Sequence, residues 1–172
     1  MVPDITCLAK AIGGGVAVAA IGGTAEVMEH VAAGGYEMVG TFNGNPLALA
    51  AARAMLTEVA TPEAYQRIDA LARRAADGIE REIAATGLAA HVVTAGAKGC
   101  VVFSAGPVRD YRGFLSIDGR YGHAHWLFQH NGGVFLPPWG KIEQWLISVQ
   151  HEEPDIDRLV TNFGVFARAV AP

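Results

Sequence analysis

The sequence predicts an α/β protein with helices packed on a small sheet. Three observations carry that expectation. First, Tyr65, Ile68, Ala72, Ala75, Ile79 and Ile83 recur at spacings of three and four, the stripe of a long amphipathic helix. Ile156, Leu159, Val160, Phe163, Ala167 and Val170 form the stripe of a second helix near the end of the chain. Second, the apolar runs 91–94 and 100–103 lie between those helices and read as short strands parted by a glycine-bearing segment. Third, 51% of the 172 residues are hydrophobic, enough for a sizeable core. Helix, strands, helix, strands, helix is the order of a helix layer on a sheet.

Taken in order, residues 4–9 read as a short buried strand that ends at Lys10. Residues 16–21 form a second apolar run of strand length, closed by Gly22 and Gly23. Joined through the glycines 13–15, the two runs suit the interior of a sheet covered on both faces. Thr24 is a good N-cap for a short helix over 25–31, with Glu26 in its first turn and Gly34-Gly35 after its end. Asn45 as N-cap and Pro46 at the first helical position open a helix that runs to about Val59. Thr61-Pro62 repeats that signal and opens the long helix, which ends at Gly87.

Near residue 60, glycine and alanine give way to charged residues with clean amphipathic patterning, so the expected domains are 1–60 and 61–172. In the second, 91–94 and 100–103 form a hairpin or neighbours in one sheet, and 107–118 is a loop. Tyr121, Ala124, Leu127 and Phe128 give one face of a helix stopped by Gly132-Gly133. Residues 134–136 are a brief strand before Pro137-Pro138, and 145–149 are another. Pro154 opens the last helix, with Asp155 and Asp157 in an acidic first turn.

Charge and cysteine content narrow the function classes. Thirteen basic against 17 acidic residues leave a net charge of −4. There is no basic block or stripe, which argues against nucleic acid and anionic membranes. The two cysteines suggest a reduced, cytoplasmic protein, with Cys7 a small core hydrophobe. The opening Met1-Val2-Pro3-Asp4 lacks the basic region of a signal peptide, and the run 11–23 is too short and glycine-rich to span a bilayer. His123, His125, His130 and His151 fit no zinc pattern and read as surface or core histidines. No G-x-S-x-G elbow, G-x-G-x-x-G turn or P-loop is present.

Two stretches remain that carry chemistry. In Thr6-Cys7-Leu8-Ala9-Lys10-Ala11-Ile12-Gly13-Gly14-Gly15, one lysine stands between apolar segments beside a backbone free to turn sharply. Partial burial of such a lysine disfavours its ammonium form and yields the amine that Schiff-base chemistry needs. The same residues also fit a snorkelling surface lysine at a strand end. In Gly40-Thr41-Phe42-Asn43-Gly44-Asn45-Pro46-Leu47, a hydroxyl and a flexible backbone precede a helix N-terminus. That combination suits an anion site, and it equally suits an ordinary capped helix.

Together the two stretches resemble the lysine motif and the G-T-x-x-G-N-P-L motif of class III aminotransferases. The resemblance is to the subgroup of glutamate-1-semialdehyde aminomutase and its aminotransferase relatives. It continues through Gly106-Pro107-Val108-Arg109-Asp110-Tyr111 and Ser148-Val149-Gln150-His151. It implies the end of a fold-type I large domain that binds pyridoxal 5′-phosphate, over 1–60, and a small C-terminal α/β domain over 61–172. The reaction it implies is amino-group transfer. Lys10 matches the Schiff-base lysine, which also shuttles a proton between the substrate α-carbon and the cofactor. Thr41, with the backbone of Gly40, matches the phosphate contact. In this family that contact is made to the cofactor of the neighbouring subunit, which implies a homodimer.

Glu143 aligns with a glutamate at the mouth of the substrate site. Before it, Trp139-Gly140-Lys141-Ile142 replaces a shorter S-x-F-like segment, with one residue inserted. Both an aminomutase acting on an amino-aldehyde and an ω- or β-amino-acid aminotransferase acting on amino-acid and keto substrates stay open. The family's main phosphate loop, ring-stacking aromatic and pyridine-pairing aspartate precede the lysine, and none occurs here. The chain is therefore expected to be the C-terminal portion of such an enzyme, completed by a missing N-terminal half. The alternative is a non-catalytic truncated or split product that acts only as a folding or association module.

Overall fold

The computed structural model describes residues 2–137 and 140–171. Met1 of the opening tetrapeptide, Pro138 after the expected strand at 134–136, Trp139 of the inserted segment, and Pro172 lie outside the described residues. The chain divides into two compact units, Met1–Pro62 and Glu63–Pro172.

In the first unit, β1 (Ile5–Leu8) and β2 (Ala20–Gly23) pair antiparallel, with Ile5 opposite Gly23 and Leu8 opposite Ala20. Between them a 3-10 turn, Lys10–Gly13, ends at Gly14 in the left-handed region. The helix α1 (Ala25–Ala32) starts where the Thr24 hydroxyl accepts the Val27 N–H. The helix α2 (Pro46–Ala54) starts where the Asn45 side chain accepts the N–H groups of Leu47 and Ala48, and it continues into a π-helical turn, Met55–Val59. The turn after β1 packs against α2 and this π-helical turn.

Among the described residues, the second unit combines four helices with a three-stranded sheet. Its helices are α3 (Pro62–Thr86), α4 (Tyr111–Ser116), α5 (Gly119–Asn131) and α6 (Glu153–Val170). Its strands β3 (His91–Ala95), β4 (Lys98–Val102) and β5 (Gln144–Leu146) run antiparallel in the order β3-β4-β5. Ile79 of α3, Val101 of β4, Trp145 of β5, and Phe163 and Phe166 of α6 share one core with Leu71, Ile83, Ile147 and Leu159.

The helices α3 and α6 advance in the same direction. Arg74 pairs with Asp157, Gly78 meets Val160, and Glu82 pairs with Arg168. A Cβ at Gly78 would lie 2.6 Å from Val160 Cγ2, so the two helices come closer there than any larger residue allows. In the sheet, Trp145 lies directly opposite Gly99, and its indole covers the space a side chain would need.

Several expectations meet corrections. The runs 4–9 and 16–21 do not form the interior of a covered sheet: β2 begins at Ala20, and every residue of β1 and β2 is exposed. Among the described residues no layer buries either face of this antiparallel pair, so even Ile5 and Leu8 stay in solvent. Cys7, expected in a core, is exposed for the same reason. The expected loop 107–118 contains α4, because Asp110 accepts the Gly113 N–H at 2.7 Å and caps a short helix. Residues 134–136 form no strand, since no neighbouring strand is in register with them; the Leu136 carbonyl accepts instead from the Trp126 indole N–H. Tyr65 stands outside the buried stripe of α3, which is filled by Leu71 and Gly78.

Trp145 over Gly99 gives a stability prediction. Gly99→Ala puts a Cβ 2.2 Å from the indole ring, and overpacking of this kind costs about 1–3 kcal/mol. The urea midpoint should fall with an unchanged slope.

Candidate active site

Lys10 is the only non-glycine residue with positive φ among those described, at +58°. The left-handed conformation costs an L-residue steric energy, so its appearance at a lysine in a catalytic-type motif marks a position held by its surroundings. It stands at the first residue of the 3-10 turn, with Gly14 and Gly15 also at positive φ just after it. The expectation of partial burial is not met: Lys10 is exposed, as are Leu8 and Ala9 before it. The turn itself packs against α2 and the π-helical turn, but Lys10 at its first residue stays in solvent.

Gly40 and Thr41 lie in the turn that leads into α2, and both are exposed. The Asn43 N–H donates to the Gly40 carbonyl at 2.9 Å, and the Asn43 side-chain amide donates to the Met38 carbonyl at 3.1 Å. A Cβ at Gly40 would lie 2.8 Å from Asn43 Oδ1, so a larger residue there would push the Asn43 side chain aside. Asn45 already satisfies two of the first amides of α2. The helix N-terminus is thus occupied by its own cap, and Thr41 stands exposed in the turn before it.

Glu143 sits inside the second unit, only 2% exposed. Its carboxyl accepts the Gly140 N–H. Burial pushes its pKa above the usual carboxylate range, against opposing pulls from that N–H and from the nearby charge of His123. Gly122 of α5 passes so close to the 140–143 turn that a Cβ would lie 2.6 Å from the Gly140 carbonyl oxygen. A separate cleft of about 590 Å³, lined in part by Leu136, Trp145, Ile147, His151 and Arg158, includes none of the four candidate residues.

Comparison with known proteins places this geometry in a family. The sequence model of the Aminotransferase class-III family matches residues 1–113. The chain belongs to the class-III aminotransferase family. It is 38% identical, over 159 residues, to a glutamate-1-semialdehyde 2,1-aminomutase from Desulfosudis oleivorans, covering 92% of this chain and 37% of that protein. The chain therefore spans little more than a third of the length of this relative. The structure of a β-phenylalanine aminotransferase from Variovorax paradoxus matches 95% of this chain and 38% of its own, with a TM-score of 0.78 and 31% identity. A glutamate-1-semialdehyde aminomutase from Pseudomonas aeruginosa, solved in complex with PMP, shares the fold with a TM-score of 0.83 at 24% identity, over 96% of this chain and 39% of its own. These neighbours are fold-type I pyridoxal-phosphate transferases, and class-III aminotransferases use pyridoxal phosphate.

The residues present fit that cofactor. Lys10 offers an amine for an aldehyde, and Thr41 a hydroxyl for a phosphate, on two exposed turns of the first unit. Among the described residues no group of three His, Cys, Asp or Glu is placed to hold a metal ion, and no helix is long and apolar enough to cross a membrane.

Two features of this class-III chain went unread in its sequence. One is Lys141, whose ammonium bonds carbonyls near the end of α4. The other is a buried polar chain in the core. His125 Nε2 lies 3.2 Å from Gln129 Nε2, which also donates to the Leu159 carbonyl, while Gln129 Oε1 accepts from Asn162. The Gln129 amide is thereby oriented to donate, so His125 Nε2 accepts and its proton resides on Nδ1. The i, i+4 spacing of His125 and Gln129 puts both on one helix face, the signal by which they could have been found.

His125 is buried against Phe103, Phe163 and Phe166, and that desolvation lowers its pKa from 6.5 to about 4. The folded state binds the proton less tightly than the unfolded state. Stability contributed by neutral His125 is therefore complete above about pH 6.5, falls as pH drops, and is lost by about pH 4, a change on the order of 3 kcal/mol. Urea unfolding at a series of pH values should show this slope, and His125→Leu should flatten it.

Proposed function

We propose that this chain supplies the Schiff-base lysine, one phosphate contact and a substrate-facing carboxyl of a pyridoxal-phosphate-dependent aminotransferase or aminomutase. The observation that carries the proposal is the family match over residues 1–113, which includes Lys10, Gly40 and Thr41, together with the positive φ that singles out Lys10. The first unit is the end of the large cofactor domain, and the second is the small C-terminal domain. The pyridine-pairing aspartate, the stacking aromatic and the main phosphate loop belong to a portion of the fold ahead of Lys10. The assembly is a homodimer in the cytoplasm.

Bound pyridoxal phosphate supplies an electron sink for the bond broken at the substrate α-carbon. The residues of this chain have distinct tasks. The Lys10 Nζ would hold the cofactor through its aldehyde carbon, and as a free amine it would accept and return the proton at the substrate α-carbon. The Thr41 hydroxyl and the Gly40 N–H donate to phosphate oxygens, by the resemblance those of the neighbouring subunit's cofactor. A covering surface over β1 and β2 excludes water from Lys10, and a desolvated amine is the reactive form. By the resemblance Glu143 belongs at the mouth of the substrate site, where it would meet the amino group of an amino-acid or amino-aldehyde substrate, although here its carboxyl is turned inward onto the Gly140 N–H. The aminomutase relative and the β-phenylalanine aminotransferase structure support two substrate classes within this one chemistry.

Borohydride reduction of the full protein with pyridoxal phosphate, followed by peptide mapping, should place the label on Lys10. The chain contains two other lysines, and a label on Lys98 or Lys141 would overturn the assignment. Thr41→Ala should weaken cofactor binding by about 1.5–3 kcal/mol, the range for a hydrogen bond to a charged group, with far less effect on fold stability. Cofactor titration and urea unfolding of the same variant separate the two effects.

A further inference from the structure

The turn that carries Glu143 has one anchor that its own backbone does not provide. Lys141 Nζ donates to the carbonyls of Leu115 and Ile117, the latter at 2.8 Å. These carbonyls lie at the end of α4, where the last helical C=O groups lack intrahelical partners. The ammonium also stands 5.8 Å from the centre of the Phe114 ring, within cation–π range. On the other side of the same turn, Gly122 of α5 meets the Gly140 and Lys141 carbonyls, at 2.6 and 2.8 Å from an added Cβ. The turn is therefore clamped between a side-chain staple to α4 and a backbone contact with α5. Within it the Gly140 N–H bonds the Glu143 carboxyl.

We propose that Lys141 is the positioning residue for Glu143: its staple to α4 sets the 140–143 turn, and the turn sets the carboxyl. Two details favour positioning over a general contribution to stability. The lysine is half-buried, so its stem lies against the protein. It reaches two carbonyls of another element, 24 and 26 residues away in sequence, where a surface lysine would remain in water. The functional consequence, that Lys141 tunes how substrate meets Glu143, rests on the reading of Glu143 given above.

Lys141→Met retains the stem and removes the donors; Lys141→Arg restores donors on a longer side chain. In the full protein, Lys141→Met should speed hydrogen exchange of the Gly140 amide about tenfold or more, while amides of β3 and β4 keep their protection. Lys141→Arg should recover part of that loss. KM should rise in Lys141→Met more than kcat falls, in the same direction as in Glu143→Gln, and the double variant should show less than the sum of the two effects. Unchanged Gly140 exchange in Lys141→Met would overturn the proposal. So would a loss of protection spread evenly over the sheet that Lys141→Arg fails to restore. Faster Gly140 exchange with KM unmoved in both Lys141→Met and Glu143→Gln would uphold the positioning and instead remove Glu143 from the substrate site.

Discussion

The contact of Gly78 with Val160 governs the second unit. Because no Cβ stands at Gly78, α6 settles onto α3 along a line that also brings Arg74 to Asp157 and Glu82 to Arg168. Those ion pairs are exposed and contribute little on their own. What the close approach achieves is apolar. It seats Phe163 and Phe166 against Ile79 and against the rings of Phe103 and His125, where both phenylalanines are fully buried. With α6 so placed, Gln129 of α5 reaches the Leu159 carbonyl, which fixes α5 in turn. The 140–143 turn then rests on Gly122 of α5. The carboxyl of Glu143 is thus placed by a chain of contacts that starts at a missing methyl group on α3.

The first unit has no counterpart to this core. Of its residues only Gly13 and Ala48 are buried among those described. Val2, Ile5, Leu8, Tyr36, Val39, Phe42 and Leu47 are all exposed. Apolar surface on that scale is of the kind that interfaces bury. The local signals that shape the unit are strong: the caps at Thr24 and Asn45, and the hydrogen-bonded turn at Gly40. Local signals decide which elements form, while burial decides how firmly they are held.

This contrast explains what was legible in the sequence and what was not. The stripe from Ile68 to Ile83, the caps Thr24 and Asn45, and the glycine stop after α5 are local or periodic, and each appears in the structure as expected. The hairpin of β3 and β4 was legible too, although its strands extend to Ala95 and from Lys98, with a tighter turn at Gly96. The family was legible because motif residues keep their order in the chain, and the stretches around Lys10 and Thr41 both lie within the matched residues 1–113. Burial around Lys10 was not, because an apolar run records that a cover is needed without recording where it comes from. The short helix α4 was missed because its six residues carry no period, and its one signal is the Asp110 cap. Lys141 was unreadable because its partners are backbone carbonyls, which leave no mark in a sequence.

The two kinds of site residue therefore depend on different physics. Glu143 is set by a packed core, so its position should be as rigid as that core and insensitive to what lies outside it. Lys10 and Thr41 sit on turns whose geometry is locally encoded but whose surroundings are open. An amine in that setting is solvated, and a hydroxyl there exchanges its partner freely with water. A cover over the exposed strands would change both at once, since removing water strengthens a hydrogen bond. Ile5, Leu8 and Phe42 are the apolar residues such a cover would bury, and the free energy of that burial is hydrophobic. On the function proposed above, residues without any chemistry of their own would then bear on the reactivity of Lys10.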